Sequence, residues 1–207
     1  VAGPLLQLFN LAVGICIYAP FIMMADKMRQ QKTSSAFKEL LRRSLHVSTT
    51  ATTNIIDSPD SSGALARSLL TDLESSCNTR QGIFMEYQPQ IAARSHKVCG
   101  VESLFRWKHP AFGMVPAPIS ISLAEESGLI HRLGQFALEE ACSTARNWLD
   151  NGVQNMSIAV NVSTLQLKPA IVPVVRDLLR FYSLPPYMLE LEVTESSALD
   201  PDSPESQ

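Results

Sequence analysis

The stretch Lys97 to Trp107, KVCGVESLFRW, decides how the rest of the chain is read. It reads as a β-strand that carries a carboxylate and a guanidinium where a strand core should carry aliphatic residues. Successive strand side chains point to opposite faces, so Val101, Ser103, Phe105 and Trp107 share one side. Gly100, Glu102, Leu104 and Arg106 share the other. A Glu and an Arg on a core-facing side are costly unless charged groups meet them.

Outward from this strand, strand and helix signals alternate. Phe84 to Ile91 is a strand, and Val98 to Trp107 the next, ended by a turn with Pro110 and Gly113. Ser122 to Gly152 carries helical periodicity broken near Gly128, with Leu133, Phe136, Ala137, Ala141, Ala145 and Trp148 on one face. Ser157 to Val162 is a third strand, Ala170 to Tyr182 a further helix, and Leu189 to Thr194 a fourth strand. This order predicts an α/β fold, a largely parallel sheet with helices outside it.

The strands agree about which side faces in. Ile158, Val160 and Val162 suit packing against helices, which puts Asn161 on the opposite face; Leu189, Leu191 and Val193 likewise leave Glu190, Glu192 and Thr194 inward. Glu102, Asn161 and Glu192 therefore share one lining, each placed toward the C-terminal end of its strand, where parallel barrels hold their active sites. Two carboxylates and a carboxamide oxygen are hard donors that suit Mg²⁺ or Mn²⁺.

N-terminal to this region, residues 1–25 hold no charged side chain, and a run of that length spans a hydrocarbon core as a helix. A transmembrane helix is the leading reading; a buried helix of a soluble domain is the alternative, and a signal peptide fits less well, lacking a basic start. Lys27, Arg29 and Lys32 follow and predict a cytoplasmic location for the remainder, at a bacterial inner membrane. Residues 26–82 are expected to be a juxtamembrane helix and flexible linker. Within them, Ala36 to Leu45 is amphipathic, suited equally to an anionic membrane surface or to a solvated linker helix, and Val47 to Gly63 is rich in Ser, Thr and Asp. A helix resumes from Ala64 to Ser75. The folded domain is expected over residues 83–199, with a disordered tail at 200–207.

Composition is compatible with a real core, at 45% apolar and 18% charged residues, and a net charge of -3 gives no sign of a nucleic-acid polymer as partner. Cys16, Cys77, Cys99 and Cys142 lie far apart and read as free thiols. His109 reads as a turn-shaping residue and His131 as an exposed helix residue. Trp107, Trp148 and Phe136 read as packing. For Glu102 taken alone, a structural ion pair with Arg106 would be the default.

Several motifs in order resemble one family. Glu102-Ser103-Leu104 with Phe105-Arg106-Trp107 and His109-Pro110, then Ala124-Glu125-Glu126-Ser127-Gly128-Leu129-Ile130, then Asn161-Val162-Ser163 with Gln166-Leu167, then Glu192-Val193-Thr194-Glu195 resemble the EAL domain family of cyclic di-GMP phosphodiesterases. The resemblance implies the first half of a (β/α)8 TIM-like barrel. It implies that Glu102, Asn161 and Glu192 bind Mg²⁺ or Mn²⁺ and that Glu195 steadies a neighbouring loop. It further implies that Gln88 and Arg106 contact the phosphates of cyclic di-GMP and that the backbone at Leu104 lies against the ligand. Metal ions in that family activate a water that opens the ring to linear pGpG. Homodimer formation through the EAL domain is a further expectation. Separately, LLQLFNLAVGICIYAPFIMMADKM resembles the last membrane helix of an enzyme IIC sugar permease of phosphotransferase systems.

Ser103 stands where the family usually has Ala, with little effect expected. The family's later motifs, a DDFG-type Asp pair, a Lys, a further Glu and a C-terminal Gln, are not found after Ser196, where the sequence reads SALDPDSPESQ. A membrane-tethered phosphodiesterase in a truncated, inactive form is the first expectation. A degenerate EAL module that binds the dinucleotide or a protein without hydrolysis is the second, and a permease remnant with a vestigial EAL tail the third.

Overall fold

Ile83–Ile91 (β1) and Val98–His109 (β2) form an antiparallel hairpin in the computed structural model, which describes residues 35–46 and 55–193. This corrects the expectation of a largely parallel sheet. The connection 92–97 is far shorter than the dozen or so residues a parallel crossover needs, so the chain has no choice but to turn back. Gly113–Val115 (β3) adds a short antiparallel return on β2. Ala117–Ser127 (α3) and Ile130–Asp150 (α4) then carry the chain to Ser157–Val162 (β4), which pairs parallel to β2. Ile171–Phe181 (α5) leads to Leu189–Val193 (β5), parallel to β4. The result is an α/β fold with a mixed sheet in the order β1-β2-β4-β5.

The break between α3 and α4 falls where the sequence placed it. Gly128 takes φ 76° as the C-cap of α3, and its N–H returns to the Glu125 carbonyl. A residue with a Cβ adopts that conformation only at a cost. The helices cover one sheet face. Val101, Ser103, Phe105 and Trp107 are buried under them, as are Ile158, Val160 and Val162, while Glu102, Leu104 and Arg106 are only half-buried on the other face. Ser103, buried, donates its hydroxyl to the Ala159 carbonyl at 2.9 Å, so its extra oxygen is satisfied.

The core begins earlier in the chain than Ile83. Ser35–His46 (α1), the first described helix, and Ser61–Thr79 (α2), the second, place Phe37, Leu40, Leu69 and Leu73 in one cluster with Phe105, Trp107, Ile119 and Leu123. Phe37 and Leu40 of the amphipathic stretch 36–45 are therefore spent on protein packing. Arg42 and Arg43 on its flank pair with Glu39, and Arg43 also with Asp60; both guanidiniums hold the Glu39 carboxyl down at about 2.

The linker reading of residues 47–63 fails from Ile55 onward. Ile55 and Ser58 are buried, and Asp60 caps the second helix by accepting from the Ser62 and Gly63 N–H groups, each at 3.0 Å. Ser, Thr and Asp mark caps and tight turns as readily as they mark solvated chain, which is why composition alone misled. Among the described residues no helix is long and apolar enough to cross a membrane. The transmembrane and permease-like readings of residues 1–25, residues 47–54 and the tail 200–207 lie outside the described residues.

Glu126 ties this N-terminal segment to the domain, accepting from the Ile56 N–H at 3.2 Å. Burial, more than any neighbour, raises its carboxyl above the ordinary range. A carboxylic acid whose folded pKa is raised binds its proton more tightly in the native state, so its contribution to stability falls as pH rises through the window above the unfolded value. Glu126→Gln keeps an acceptor oxygen and removes that titration. We expect the variant to gain in Tm relative to the parent as pH rises above the ordinary carboxylate range; thermal melts of both across a pH series check it.

Candidate functional site

The open face of the sheet is built by alternation. On β1, Tyr87 points to the helices, its hydroxyl 2.8 Å from Thr144 Oγ1, which sends Phe84, Glu86, Gln88 and Gln90 to the other side. Gln88 lies directly opposite Glu102 across the hairpin, and Glu86 opposite Leu104. On β4, Asn161 is exposed on the same face. Its Nδ2 donates to Glu102 Oε1 at 2.7 Å, a charge-assisted contact across the β2–β4 pair. Asn161 is also the direct register partner of Glu192 on β5. Three successive strands thus bring the three named oxygen-bearing side chains to one face.

The two edge strands communicate across this face. Gln90 on β1 donates to Glu192 Oε1 on β5 at 3.2 Å, although β2 and β4 lie between them. Three strand spacings on a flat sheet are about 14 Å, so the contact requires the sheet to curl toward its open side. Small residues beneath permit it. A Cβ on Gly100 would stand 2.8 Å from Ser157 Oγ and 3.3 Å from Gln90 Oε1.

Arg106 answers to Glu86, not to Glu102: its Nε donates to Glu86 Oε2 at 2.7 Å. The default reading of Glu102 as an ion-pair partner of Arg106 is therefore replaced, with Asn161 as its partner. Leu104, Arg106 and Asn161 also border a cavity of about 330 Å³, whose walls belong mostly to the helix-covered side, Phe105, Val160 and Leu133 among them, and which reaches Glu125 and Gln166. Glu102 sits mid-strand in β2, since that strand runs on to His109, while Asn161 and Glu192 are near the ends of theirs. Glu195 lies outside the described residues.

Glu86 and Gln90 were not singled out from the sequence. The signal was available, because both alternate with Gln88 along a stretch already read as a strand. What the sequence could not supply was the diagonal pairing that matches Glu86 to Arg106 and Gln90 to Glu192. His109 is buried and shapes its turn as expected. Its Nδ1 accepts from the Ala111 and Phe112 N–H groups at 3.0 and 3.2 Å, and its Nε2 lies 3.0 Å from Asp72 Oδ2.

Among the described residues no group of three or more His, Cys, Asp or Glu gathers as a metal cluster. The donor set at the open face is different in kind, two carboxylates and a carboxamide, which fits a hard divalent cation whose remaining positions are filled by water or phosphate.

The family model described as EAL domain matches residues 70–205. The bifunctional diguanylate cyclase/cyclic di-GMP phosphodiesterase MucR of Pseudomonas aeruginosa is 44% identical over 132 residues, covering 63% of this chain and 19% of that protein. Signaling protein YkoW of Bacillus subtilis is 40% identical over 117 residues, 56% of this chain and 14% of that protein. A solved PaMucR phosphodiesterase in complex with c-di-GMP matches with a TM-score of 0.59 at 40% identity, covering 64% of this chain and 54% of that chain. The FimX EAL domain of Pseudomonas aeruginosa bound to c-di-GMP is alike in fold, with a TM-score of 0.54 at 22% identity over 62% of this chain and 51% of that one. The chain spans less than a fifth of these two curated relatives and about half of the solved PaMucR chain.

Proposed function

The chain belongs to the EAL domain family, and on that premise we propose that its open sheet face is a cyclic di-GMP site, the first half of an EAL barrel lining. The observation that carries the reading is the Asn161 to Glu102 contact at 2.7 Å with Glu192 in register beside it. Buried-side alternation alone would leave such groups facing nothing, and a dinucleotide with two phosphates gives them a purpose. The PaMucR complex, at 40% identity, supports cyclic di-GMP as the ligand.

In this reading Arg106 orients a phosphate by charge-assisted hydrogen bonds. Gln88 adds a neutral donor, and the strand at Leu104 gives the ligand an apolar bed. Glu102, Asn161 and Glu192 would hold Mg²⁺ or Mn²⁺, which when bound supplies Lewis-acid polarisation of a phosphate oxygen. Glu195 would steady a neighbouring loop.

The residues that complete hydrolysis elsewhere in the family, the DDFG-type pair and the Lys, have no counterpart in this sequence. We therefore expect this 207-residue polypeptide, assayed alone, to bind cyclic di-GMP without opening the ring. A phosphodiesterase assay with Mg²⁺ or Mn²⁺ checks this: no pGpG above the protein-free blank is the expected result, and steady production of pGpG would refute it. Attachment to the bacterial inner membrane through residues 1–25, with the EAL part cytoplasmic, is a proposal tested by cell fractionation. Homodimer formation is tested by sedimentation.

A further inference from the structure

We propose that Glu125 is a positioning residue, whose carboxylate holds Ser163 and through it fixes the end of β4 that presents Asn161. The inference rests on the reading of Asn161 as a ligand-facing group. Asn161 stands one residue before Val162, whose pairing with Val193 is the last rung of the β4–β5 ladder among the described residues. Side-chain contacts hold the chain just beyond it.

Ser163 donates its hydroxyl to Glu125 Oε1 at 2.6 Å, within the range of charge-assisted O–H···O⁻ bonds. The same hydroxyl oxygen accepts from the Leu165 N–H at 3.4 Å, and the Ser163 N–H donates to Gln166 Oε1 at 3.1 Å, a capping box on the turn Thr164–Gln166. Gln166 in turn lies against Gly134 of α4 so closely that a Cβ there would stand 1.8 Å from Gln166 Nε2. The corner after Asn161 is thus gripped from α3 by Glu125 and from α4 at Gly134. Both grips border the cavity that Leu104, Arg106 and Asn161 line.

The neighbouring acid has a different task. Glu126 turns toward the Ile56 N–H and the N-terminal segment. Of the two acids in the Ala124 to Ile130 motif, one serves the core and the other serves the candidate site. A clamp with a purely structural role would lower stability without disturbing Asn161. A positioning role moves Asn161 relative to Glu102.

The test uses the full chain labelled with ¹⁵N at asparagine, with the Asn161 side-chain amide signal assigned by loss in Asn161→Ser. Ser163→Ala and Glu125→Ala are expected to shift that signal and to weaken cyclic di-GMP affinity in Mg²⁺ by about 10- to 100-fold, the usual effect of losing a group that orients a ligand residue. Glu125→Gln keeps an oxygen that accepts from Ser163 and is expected to keep both the signal and the affinity. An Asn161 signal unmoved in Ser163→Ala and Glu125→Ala would overturn the proposal, whatever their thermal stability. Should Ser163→Ala not fold, the contrast of Glu125→Ala with Glu125→Gln on the same signal decides. If the parent chain binds no cyclic di-GMP yet the signal moves, the positioning role stands and the ligand assignment falls.

Discussion

Arg106→Ala is expected to weaken cyclic di-GMP binding by about tenfold to a hundredfold, the loss of a charge-assisted hydrogen bond of about 1.5–3 kcal/mol. The free protein holds Arg106 against Glu86, with both side chains about a quarter to a third exposed. A pair so open to solvent is worth roughly 0–1 kcal/mol, which is less than a phosphate returns, so the ligand wins the guanidinium. It does so at a cost that Glu86 sets. Glu86→Gln removes the competing charge and is expected to tighten binding, opposite in sign to Arg106→Ala. Calorimetric titration of the two variants checks both directions; equal weakening in both would mean that Glu86 itself contacts the ligand.

Trp107→Ala is expected to be the most destabilising single change, at about 3–5 kcal/mol. Against a total of about 5–15 kcal/mol for a domain, that is enough to leave much of the protein unfolded. Trp107 is 1% exposed and sits in the cluster shared by the N-terminal helices, β2 and α3. Its Nε1 donates to Ser76 Oγ at 3.2 Å, joining β2 to the helix Ser61–Thr79. Trp107→Phe keeps most of the packing and loses that donor, so it should cost far less. Denaturant unfolding of both variants separates the two contributions; an alanine variant as stable as the phenylalanine one would show that the ring is not what binds these helices to the sheet.

The parts of the fold written in local pattern were legible in the sequence. Alternation on β2 and β4 assigned Trp107 and Val160 to the helix side and Glu102 and Asn161 to the open side, and the structure agrees at each. Gly128 declared the break between α3 and α4 because its positive φ is a local requirement. The parallel reading of β1 failed because direction depends on connection length, which the alternation of strands does not encode. The N-terminal helices were misjudged for a related reason. Nothing in residues 36–45 distinguishes an apolar face that meets lipid from one that joins a protein core, as Phe37 and Leu40 do.

At the candidate site the same division holds. Which residues face the lining follows from period two, and Glu102, Asn161 and Glu192 were found that way, while Gln88 came from the family resemblance. The partners each takes are set by sheet curl and register. The diagonal reach of Gln90 to Glu192 and the capture of Arg106 by Glu86 belong to that level. Glu125 was visible only as part of a motif. Its contact with Ser163 joins positions 38 residues apart in sequence, which no spacing rule connects.

Cyclic di-GMP is proposed to lie on the open face of the sheet. The most direct test is a titration of cyclic di-GMP with Mg²⁺ into the ¹⁵N-labelled chain, following the side-chain signals of Gln88, Arg106 and Asn161. Saturable shifts at these three, with the signals of Asn147 and Asn151 on the helical side left in place, are the predicted result. Shifts confined to the helical side, or none at any ligand concentration, would contradict it.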